Sequence, residues 1–364
     1  MKDATEQMTL TDGEEAALWG RDRLDELWAR GCAFLGSDVA ILGGAMSWIS
    51  ERHLVAALSG AGGFGVLAAG SMPPERLAEE IEATRALMAA RGRQRTFGVN
   101  LITMHSQLDA LIDVCREMKV SHVVLAGGLP SAASIRKVKD GGARCVCFSP
   151  ALALARKLVR AGADALVIEG AEAGGHIGPV STTVLAQEIL PQVRDVPIFV
   201  AGGIGRGEAI VSFLEMGAAG VQLGTRFVCA SECIAHPAFK KAFLRASARD
   251  AVPTVQVDPR FPVIPVRALS NKGTADFVET QRQVIDRYQR GEIDQKSAQL
   301  EIEHFWAGAL RRAVIDGDVE TGSLMAGQSV GLVTREQPVA EILDELVTQA
   351  VASLARRAPQ STPF

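Results

Sequence analysis

The sequence predicts an α/β protein, a TIM (β/α)8 barrel with a small, mainly helical second domain. Short apolar runs alternate eight times with amphipathic stretches of helical length between residues 38 and 227. The chain has 364 residues, which is long enough for one barrel and an addition. An open doubly wound sheet usually has fewer strands and a reversal of strand order, but the sequence alone does not exclude it.

The apolar runs have the continuous hydrophobic character of strands that are buried on both faces. The predicted strands are 39–42, 64–67, 97–101, 122–125, 144–148, 165–168, 198–201 and 220–223. The segments between them have helical spacing, and Pro73, Pro74 and Gly217 stand where a helix begins or ends. The predicted helices are 51–59, 74–91, 106–118, 131–139, 150–161, 182–190 and 206–216.

Four segments follow from this pattern. Residues 1–35 form an N-terminal helical extension, and residues 36–232 form the barrel. Residues 233–320 are predicted to be a helical cap that binds substrate, with a helix at 239–246, a proline-rich extended segment at 258–265 and one charged helical stretch over 280–309. Residues 321–357 return to the barrel and end in a closing helix at 339–355.

Composition limits the partners of the chain. The 38 basic and 42 acidic residues give a net charge of -4, so we expect neither nucleic acid nor a membrane surface as a partner. The first residues, Met1–Glu6, are polar and acidic, and no apolar segment is long enough to span a bilayer, so we expect a cytoplasmic protein. Small molecules are the expected partners, and a homodimer is left open.

Three common motifs are absent or misplaced. Gly60-Ala61-Gly62-Gly63-Phe64-Gly65 matches G-x-G-x-x-G, but it follows a predicted helix and precedes a strand, the reverse of a dinucleotide fingerprint. No G-x-S-x-G elbow is present, which argues against a serine hydrolase. The six cysteines include no C-x-x-C and no histidines have metal-ligand spacing, so we predict buried thiols and no metal site.

Two loops are suited to bind an anion. In a TIM barrel the active site lies at the carboxyl ends of the strands, and a phosphate commonly sits on the loops after strands seven and eight. Gly202 and Gly203 stand in the first of these loops, and Gly224 and Thr225 stand in the second. The glycines can expose backbone N–H groups to an anion, although two ordinary glycine turns are the alternative interpretation.

Other candidate residues also follow strands. His176 comes after Gly174-Gly175 in a predicted loop, where its imidazole can exchange a proton near neutral pH. Asn100 ends the third strand, where its amide either faces a heterocycle or caps the next helix. Gly44-Ala45-Met46 follows the first strand and allows close approach of a flat ligand.

As a set, these loops resemble the nitronate monooxygenase (2-nitropropane dioxygenase) family over roughly residues 38 to 355. The flavin-dependent enoyl-ACP reductase II branch of the same fold is similar as well. The resemblance rests on Gly44-Ala45-Met46, Asn100, Glu172-Ala173-Gly174-Gly175-His176, Ala201-Gly202-Gly203-Ile204 and Gln222-Leu223-Gly224-Thr225-Arg226-Phe227.

The resemblance implies an FMN-binding barrel with His176 as the catalytic residue beside the flavin. Gly202, Gly203, Gly224 and Thr225 would hold the phosphate. The residues implied to line the rest of the cofactor are Gly44, Ala45, Met46, Asn100, Glu172, Gly178 and Gln222, with 325–328 closing over it.

Two reactions are implied, and a third interpretation stays open. A nitronate monooxygenase would oxidise an alkyl nitronate with O2 to a carbonyl compound and nitrite. The alternative is an NAD(P)H-dependent flavin reductase that acts on an enoyl thioester, which a basic patch near Arg260 or Lys272 would favour by binding an acyl carrier. A non-catalytic flavin-binding subunit is the third.

The chain departs from both families at one loop. It has Gly43-Gly44-Ala45-Met46 where both usually have a glutamine ahead of the methionine loop. Trp48 and the segments 317–320 and 323–332 resemble the reductase branch.

Overall fold

A computed structural model describes residues 11–90, 92 and 95–359. The eight predicted strands form a closed parallel barrel in the order β1-β2-β3-β4-β5-β6-β8-β9, with β9 pairing with β1, so the TIM barrel is confirmed. The barrel strands are β1 (Ile41–Gly43), β2 (Phe64–Ala68), β3 (Gly98–Ile102), β4 (His122–Ala126), β5 (Arg144–Phe148), β6 (Ala165–Glu169), β8 (Ile198–Ala201) and β9 (Gly220–Leu223). The terminal residues Met1–Glu6 lie outside the described part of the chain.

Each predicted helix between the strands is present within a few residues of its expected bounds. The helices of the extension and the barrel are α1 (Asp12–Leu35), α2 (Arg52–Gly60), α3 (Pro74–Ala90), α4 (Leu108–Glu117), α5 (Ala132–Asp140), α6 (Leu152–Arg160), α7 (Thr182–Ile189), α8 (Gly207–Glu215) and α9 (Thr225–Val228). Gly60 ends α2 and Phe64 begins β2, so the G-x-G-x-x-G match is a helix-to-strand turn. Arg91, the predicted end of α3, is not among the described residues.

Side-chain alternation along the strands separates the barrel interior from the layer under the helices. Leu42, Phe64, Val124, Val167 and Phe199 share one buried cluster inside the barrel. Their strand neighbours belong to the larger core between strands and helices. The alternation of side chains along each strand therefore decides which residues face the barrel interior.

The carboxyl end of helix α1, at Phe34 and Leu35, packs against the amino-terminal end of the barrel, which we call the floor. His122, at the start of β4, lies between the rings of Phe34 and Phe64 and forms a hydrogen bond of 2.9 Å from Nε2 to the Phe34 carbonyl. Burial lowers the pKa of His122 to about 4. The imidazole is therefore neutral at pH 7, and its role is structural.

The second unit contains a small sheet as well as helices. The antiparallel strands β10 (Ala251–Pro253), β11 (Val266–Leu269) and β7 (Gly175–His176) pair in that order. Its helices have their own buried cluster, which includes Phe261 and Phe277. The helices after the barrel are α10 (Pro237–Arg245), α11 (Lys272–Gln289), α12 (Gln295–His304), α13 (Ala309–Arg311) and the closing helix α14 (Val339–Ala355). The segment boundaries at 35, 232 and 320 stay predictions.

The prediction of one helical stretch over 280–309 is wrong. A turn separates α11 from α12, and Gly291 in this turn has a φ of 74°, in the left-handed region that favours glycine. Asp294 then caps α12 by accepting a hydrogen bond of 2.7 Å from the Ser297 N–H. Among the described residues, no helix combines the length and the apolar character needed to cross a membrane.

Candidate active site

The carboxyl ends of the barrel strands and the loops after them form the mouth of the barrel. Asn100 lies here and is only 5% exposed, and its Nδ2 donates a hydrogen bond of 3.2 Å to the Val124 carbonyl. The interpretation of Asn100 as a helix cap is wrong, because Gln107 occupies the N-cap position of α4. This bond fixes the amide plane at the mouth.

Glu169 is a mouth residue that the sequence analysis missed. Ala165 and Val167 face the barrel interior, so alternation directs Glu169 inward at the end of β6. Burial raises the pKa of Glu169 to about 8, so its neutral form predominates at pH 7. The signal was its position directly after an apolar run at the carboxyl end of a strand.

The loops after β1 and β9 meet at the mouth. A Cβ atom added to Gly44 would lie 3.3 Å from Nε2 of Gln222, and one added to Gly224 would lie 3.3 Å from Sδ of Met46. Gln222 is 8% exposed, and its amide makes no hydrogen bond within the described ranges. Ala45 packs against the interior cluster. Gly44 and Gly224 therefore have little room for larger side chains, and the side-chain amide of Gln222 is left to bind a ligand.

The two predicted anion loops leave backbone donors unused. Gly202 and Gly203 have φ angles of 102° and 72°, in the left-handed region. Ile204 and Thr225 are buried, yet across the residues that the structure describes neither backbone N–H donates to another protein group. Buried N–H groups without a partner are rare, which favours an anion at these loops. A cavity of about 540 Å³ opens beside Gly202 and Gly203.

Glu172 lines the same cavity as Gly202 and Gly203, and its contact with a cofactor stays a prediction. Its carboxylate accepts hydrogen bonds from the Thr182 N–H at 2.8 Å and from Thr182 Oγ1 at 2.9 Å, at the start of α7. A Cβ atom added to Gly203 would lie 3.0 Å from Cβ of Glu172. Glu172 thus fixes α7 against an anion loop, and Thr182, which the sequence analysis used only as a helix start, is its partner.

Segment 325–328 bridges the histidine loop and the second anion loop. The Gly327 N–H donates to Thr225 Oγ1 at 2.9 Å, and the Gln328 N–H donates to the Glu172 carbonyl at 2.9 Å. A Cβ atom added to Gly174 would lie 2.5 Å from the Gly327 nitrogen, so this contact requires glycine. The segment therefore packs against both loops, and its closure over a cofactor stays a prediction.

His176 lies in the short strand β7 rather than in an irregular loop, and it pairs with Val266. Its ring lines a cavity of about 530 Å³, and within the described ranges the ring makes no hydrogen bond. Burial lowers the pKa of His176 below its usual 6.5, so the neutral ring predominates at pH 7. The apolar residues around this cavity include Val252, Val255, Val263, Ile264, Val266, Ala268, Phe277, Val278, Ile302, Trp306, Leu310 and Met325.

Arg267 was also missed by the sequence analysis. It is 8% exposed, and it donates from Nε to the Ala171 carbonyl at 2.8 Å and from Nη1 to the Ala251 carbonyl at 2.6 Å. These bonds tie the loop before His176 to β10. The signal was a single charge inside the apolar run of β11.

Gly178 lies apart from the anion loops. A Cβ atom added to it would meet Pro150 at 4.0 Å, which places Gly178 beside the loop after β5. Trp48 joins the mouth to the second unit, because the guanidinium of Arg311 lies 5.8 Å from the centre of its ring.

The mouth fits a flavin nucleotide on its own geometry. Free N–H groups at Ile204 and Thr225 suit a phosphate, and the amides of Asn100 and Gln222 suit the edge of a heterocycle. Gly44 and Gly224 allow the loops after β1 and β9 to approach closely at the mouth. Within the described part of the chain, no group of three histidine, cysteine, aspartate or glutamate side chains is placed to hold a metal ion.

Comparisons with known proteins show which family the chain resembles over most of its length. A sequence model of a family described as nitronate monooxygenase matches residues 32–116 and 96–349. A solved structure of FabK from Thermotoga maritima is 34% identical and superposes with a TM-score of 0.80, covering 90% of this chain and 97% of that chain.

Two curated relatives carry different descriptions. The chain is 29% identical to the (3aS,4S,5R,7aS)-5-hydroxy-7a-methyl-1-oxo-octahydro-1H-indene-4-carboxyl-CoA dehydrogenase of Mycobacterium tuberculosis, over 88% of this chain and 95% of the relative. It is 25% identical to a probable nitronate monooxygenase of Staphylococcus aureus, over 91% of this chain and 98% of the relative.

Proposed function

The chain belongs to the nitronate monooxygenase family, and from that premise we propose an FMN-dependent oxidoreductase whose substrate is a bulky apolar acyl thioester. That the chain is a flavin-dependent oxidoreductase follows from the family and its structural neighbours. The cavity of about 530 Å³ beside His176 carries the choice of substrate.

The size and lining of this cavity support a bulky substrate. Its volume is in the range that holds drug-sized ligands, and its walls come from aliphatic and aromatic side chains on β10, β11, α11 and α12. A small alkyl nitronate would leave most of this space unfilled. The dehydrogenase of Mycobacterium tuberculosis is described as acting on a carboxyl-CoA compound with a fused ring system, which has this chemical character.

In this proposal the mouth holds the cofactor. The backbone N–H groups around Gly202, Gly203, Gly224 and Thr225 would bind the FMN phosphate, and Asn100 and Gln222 would contact the ring system. Bound FMN would supply hydride chemistry, taking a hydride from NADH or NADPH and delivering it to the double bond of an enoyl thioester.

His176 would act on the polar end of the substrate. The neutral imidazole has one N–H, which can donate a hydrogen bond to the thioester carbonyl oxygen, whereas only the minor protonated form could pass a proton to the substrate. The apolar wall of the cavity beside the ring would contact the hydrocarbon part of such a substrate. Arg267 and the β7–β11 pairing keep the histidine loop in place.

The expected basic patch does not support an acyl-carrier partner. Arg260 pairs with Asp258 at 2.6 Å, and Lys272 pairs with Asp276 at 2.5 Å. These cations are compensated by their neighbours. The cavity, rather than surface charge, is therefore the argument for a thioester substrate.

Oxidation of alkyl nitronates with O2 to a carbonyl compound and nitrite is the second candidate. The family description and the relative in Staphylococcus aureus favour it. His176 is exposed to the cavity and, in its protonated form, could hold an anionic nitro group. Its lowered pKa weakens this role at neutral pH.

An anaerobic stopped-flow experiment separates the two reactions. The flavin-loaded protein is mixed separately with NADH, NADPH and propionate 3-nitronate while the flavin absorbance is recorded. We expect a nicotinamide to bleach the flavin rapidly and an enoyl thioester to restore its absorbance. Bleaching by the nitronate alone, with no response to either nicotinamide, would replace our proposal with the monooxygenase.

A further inference from the structure

The closing helix α14 connects the two anion loops through a partly buried hydrogen-bond network. Arg226 directly follows Thr225 in the second loop and has a side chain only 2% exposed. Its Nη2 donates to Oε2 of Glu345 on α14 at 2.7 Å, and its Nη1 donates to the Leu332 carbonyl at 3.4 Å. Glu345 is thus the charged partner of a cation that is buried next to the loop.

The first anion loop is held by the same helix. Gly207 begins α8, directly after this loop, and its N–H donates to Oε1 of Gln349 at 2.9 Å. Nε2 of Gln349 donates in turn to Oε1 of Glu345 at 3.1 Å, one helical turn away. The backbones are in close contact here, because a Cβ atom added to Gly207 would lie 2.2 Å from the Leu346 carbonyl oxygen.

We propose that Glu345 and Gln349 are positioning residues, which hold the two anion loops at the spacing that a cofactor phosphate requires. Both residues act through others, since Glu345 orients Arg226 and Gln349 orients the start of α8. This inference rests on the proposed FMN site. Loop spacing matters because backbone N–H groups bind a phosphate only when they converge on it within hydrogen-bond distance.

Arg226 is not itself placed as a ligand for the phosphate. Its guanidinium is directed towards Glu345 and Leu332, and the Glu345 carboxylate compensates the charge. Within the described part of the chain Nε of Arg226 has no hydrogen-bond partner, so removing Glu345 would leave a buried cation with fewer contacts and would release the loop.

The test compares FMN with riboflavin, which is the same flavin without the phosphate. Flavin-free protein is titrated with each ligand, and the dissociation constants are measured from fluorescence quenching. Glu345→Ala removes the acceptor of Arg226, and Gln349→Ala removes the acceptor of the Gly207 N–H. We expect each to weaken FMN binding about tenfold, while riboflavin binding changes less than about twofold. Glu345→Gln keeps an acceptor for Arg226 and should recover part of the FMN preference.

Arg357→Ala is the matched control. This substitution removes the ion pair between Arg357, just after the end of α14, and Glu215, the last residue of α8. The pair lies at the end of α8 that is away from the anion loops. This variant should retain the wild-type preference for FMN over riboflavin.

Two outcomes would overturn the inference, and a third would remove the proposed FMN site on which it rests. Unchanged FMN affinity in both alanine variants would overturn it. An equal loss of FMN and riboflavin affinity would also overturn it, because it would show general loosening of the fold. Failure of the wild-type protein to bind FMN would instead remove the proposed function, and this inference with it.

Discussion

The two ends of the barrel each carry a histidine, and the surroundings of these two side chains differ. At the floor, His122 is packed between Phe34 and Phe64 and has hydrogen-bond partners for both ring nitrogens, at the Phe34 carbonyl and Ser121 Oγ. At the mouth, His176 lines a cavity and makes no hydrogen bond to the described residues. The comparison indicates that the active site is at the mouth, where polar side chains lack hydrogen-bond partners within the described residues.

The largest expected effect is on His176. His176→Ala should lower turnover by about two to four orders of magnitude, the range for removing a positioned acid-base group. The free energy of unfolding should change little, because the ring is exposed to the cavity and has no hydrogen bond to lose. Steady-state kinetics of the fully flavinated variant measure the first effect, and urea unfolding measures the second.

His304→Ala is the control, since His304 is exposed on α12 and bonds only the Leu300 carbonyl of its own helix. Wild-type turnover in His176→Ala would remove the catalytic assignment.

The next effect concerns the first anion loop. Gly203→Asp places a carboxylate where the phosphate is predicted to bind, and its Cβ atom would lie 3.0 Å from Glu172. We expect FMN affinity to fall at least about 100-fold, since like charges at close range repel strongly where water is excluded. Equilibrium titration with FMN measures the loss.

Gly291→Asp controls for backbone strain. Gly291 has a φ of 74°, close to the 72° of Gly203, but a Cβ atom there would meet nothing within 4 Å. The same substitution therefore carries the same strain without the loop contact. If both variants bind FMN as the wild type does, the phosphate lies elsewhere.

The floor should respond to pH through stability rather than turnover. The pKa of His122 is about 4 in the folded protein and 6.5 as its ordinary value, so the unfolded chain takes up the proton first. Stability is fully present above about pH 6.5, is lost as the pH falls towards 4, and the loss approaches about 3 kcal/mol. His122→Gln should remove most of this pH dependence.

Urea unfolding of the wild type and His122→Gln at pH 7 and pH 4.5 gives the comparison. Carboxylates titrate equally in both proteins, so the difference between the two isolates His122. An equal acid loss in both proteins would show that His122 is not the titrating group.

The smallest effect should distinguish the two substrate classes. Ala275→Trp adds a large side chain to the wall of the His176 cavity. We expect kcat/KM for a bulky enoyl thioester to fall about tenfold or more, and any activity on propionate 3-nitronate to change little. Ala133→Trp, at an exposed position on α5, is the control. An equal loss with both substrates would mean that the cavity does not select the substrate.

Much of the barrel could be predicted from the sequence because its signals are local. A strand buried on both faces is a continuous apolar run, and each run here is followed by a turn and an amphipathic helix. The closing helix at 339–355 has the predicted bounds for the same reason. The small sheet was missed because β7 has two residues and its partner β11 lies about ninety positions further along the chain.

The loops that form the site could be predicted from the sequence, but the side-chain contacts within it could be predicted less well. Glycine pairs and one histidine after strands indicate a mouth. Gly202, Gly203 and Gly224 do directly follow β8 and β9, whereas His176 lies in β7 of the small sheet. The orientation of Glu169 and the hydrogen bonds of Glu172 depend on strand parity and on Thr182, which spacing alone did not resolve. Their roles towards FMN stay predictions.

The most direct test of the central claim is an FMN titration of the flavin-free wild-type protein. The claim is that the mouth of the barrel, with its free N–H groups at Ile204 and Thr225, is a flavin nucleotide site. We predict saturable binding of one FMN per chain, accompanied by quenching of the flavin fluorescence. A protein that folds and yet shows no saturable FMN binding would contradict the account.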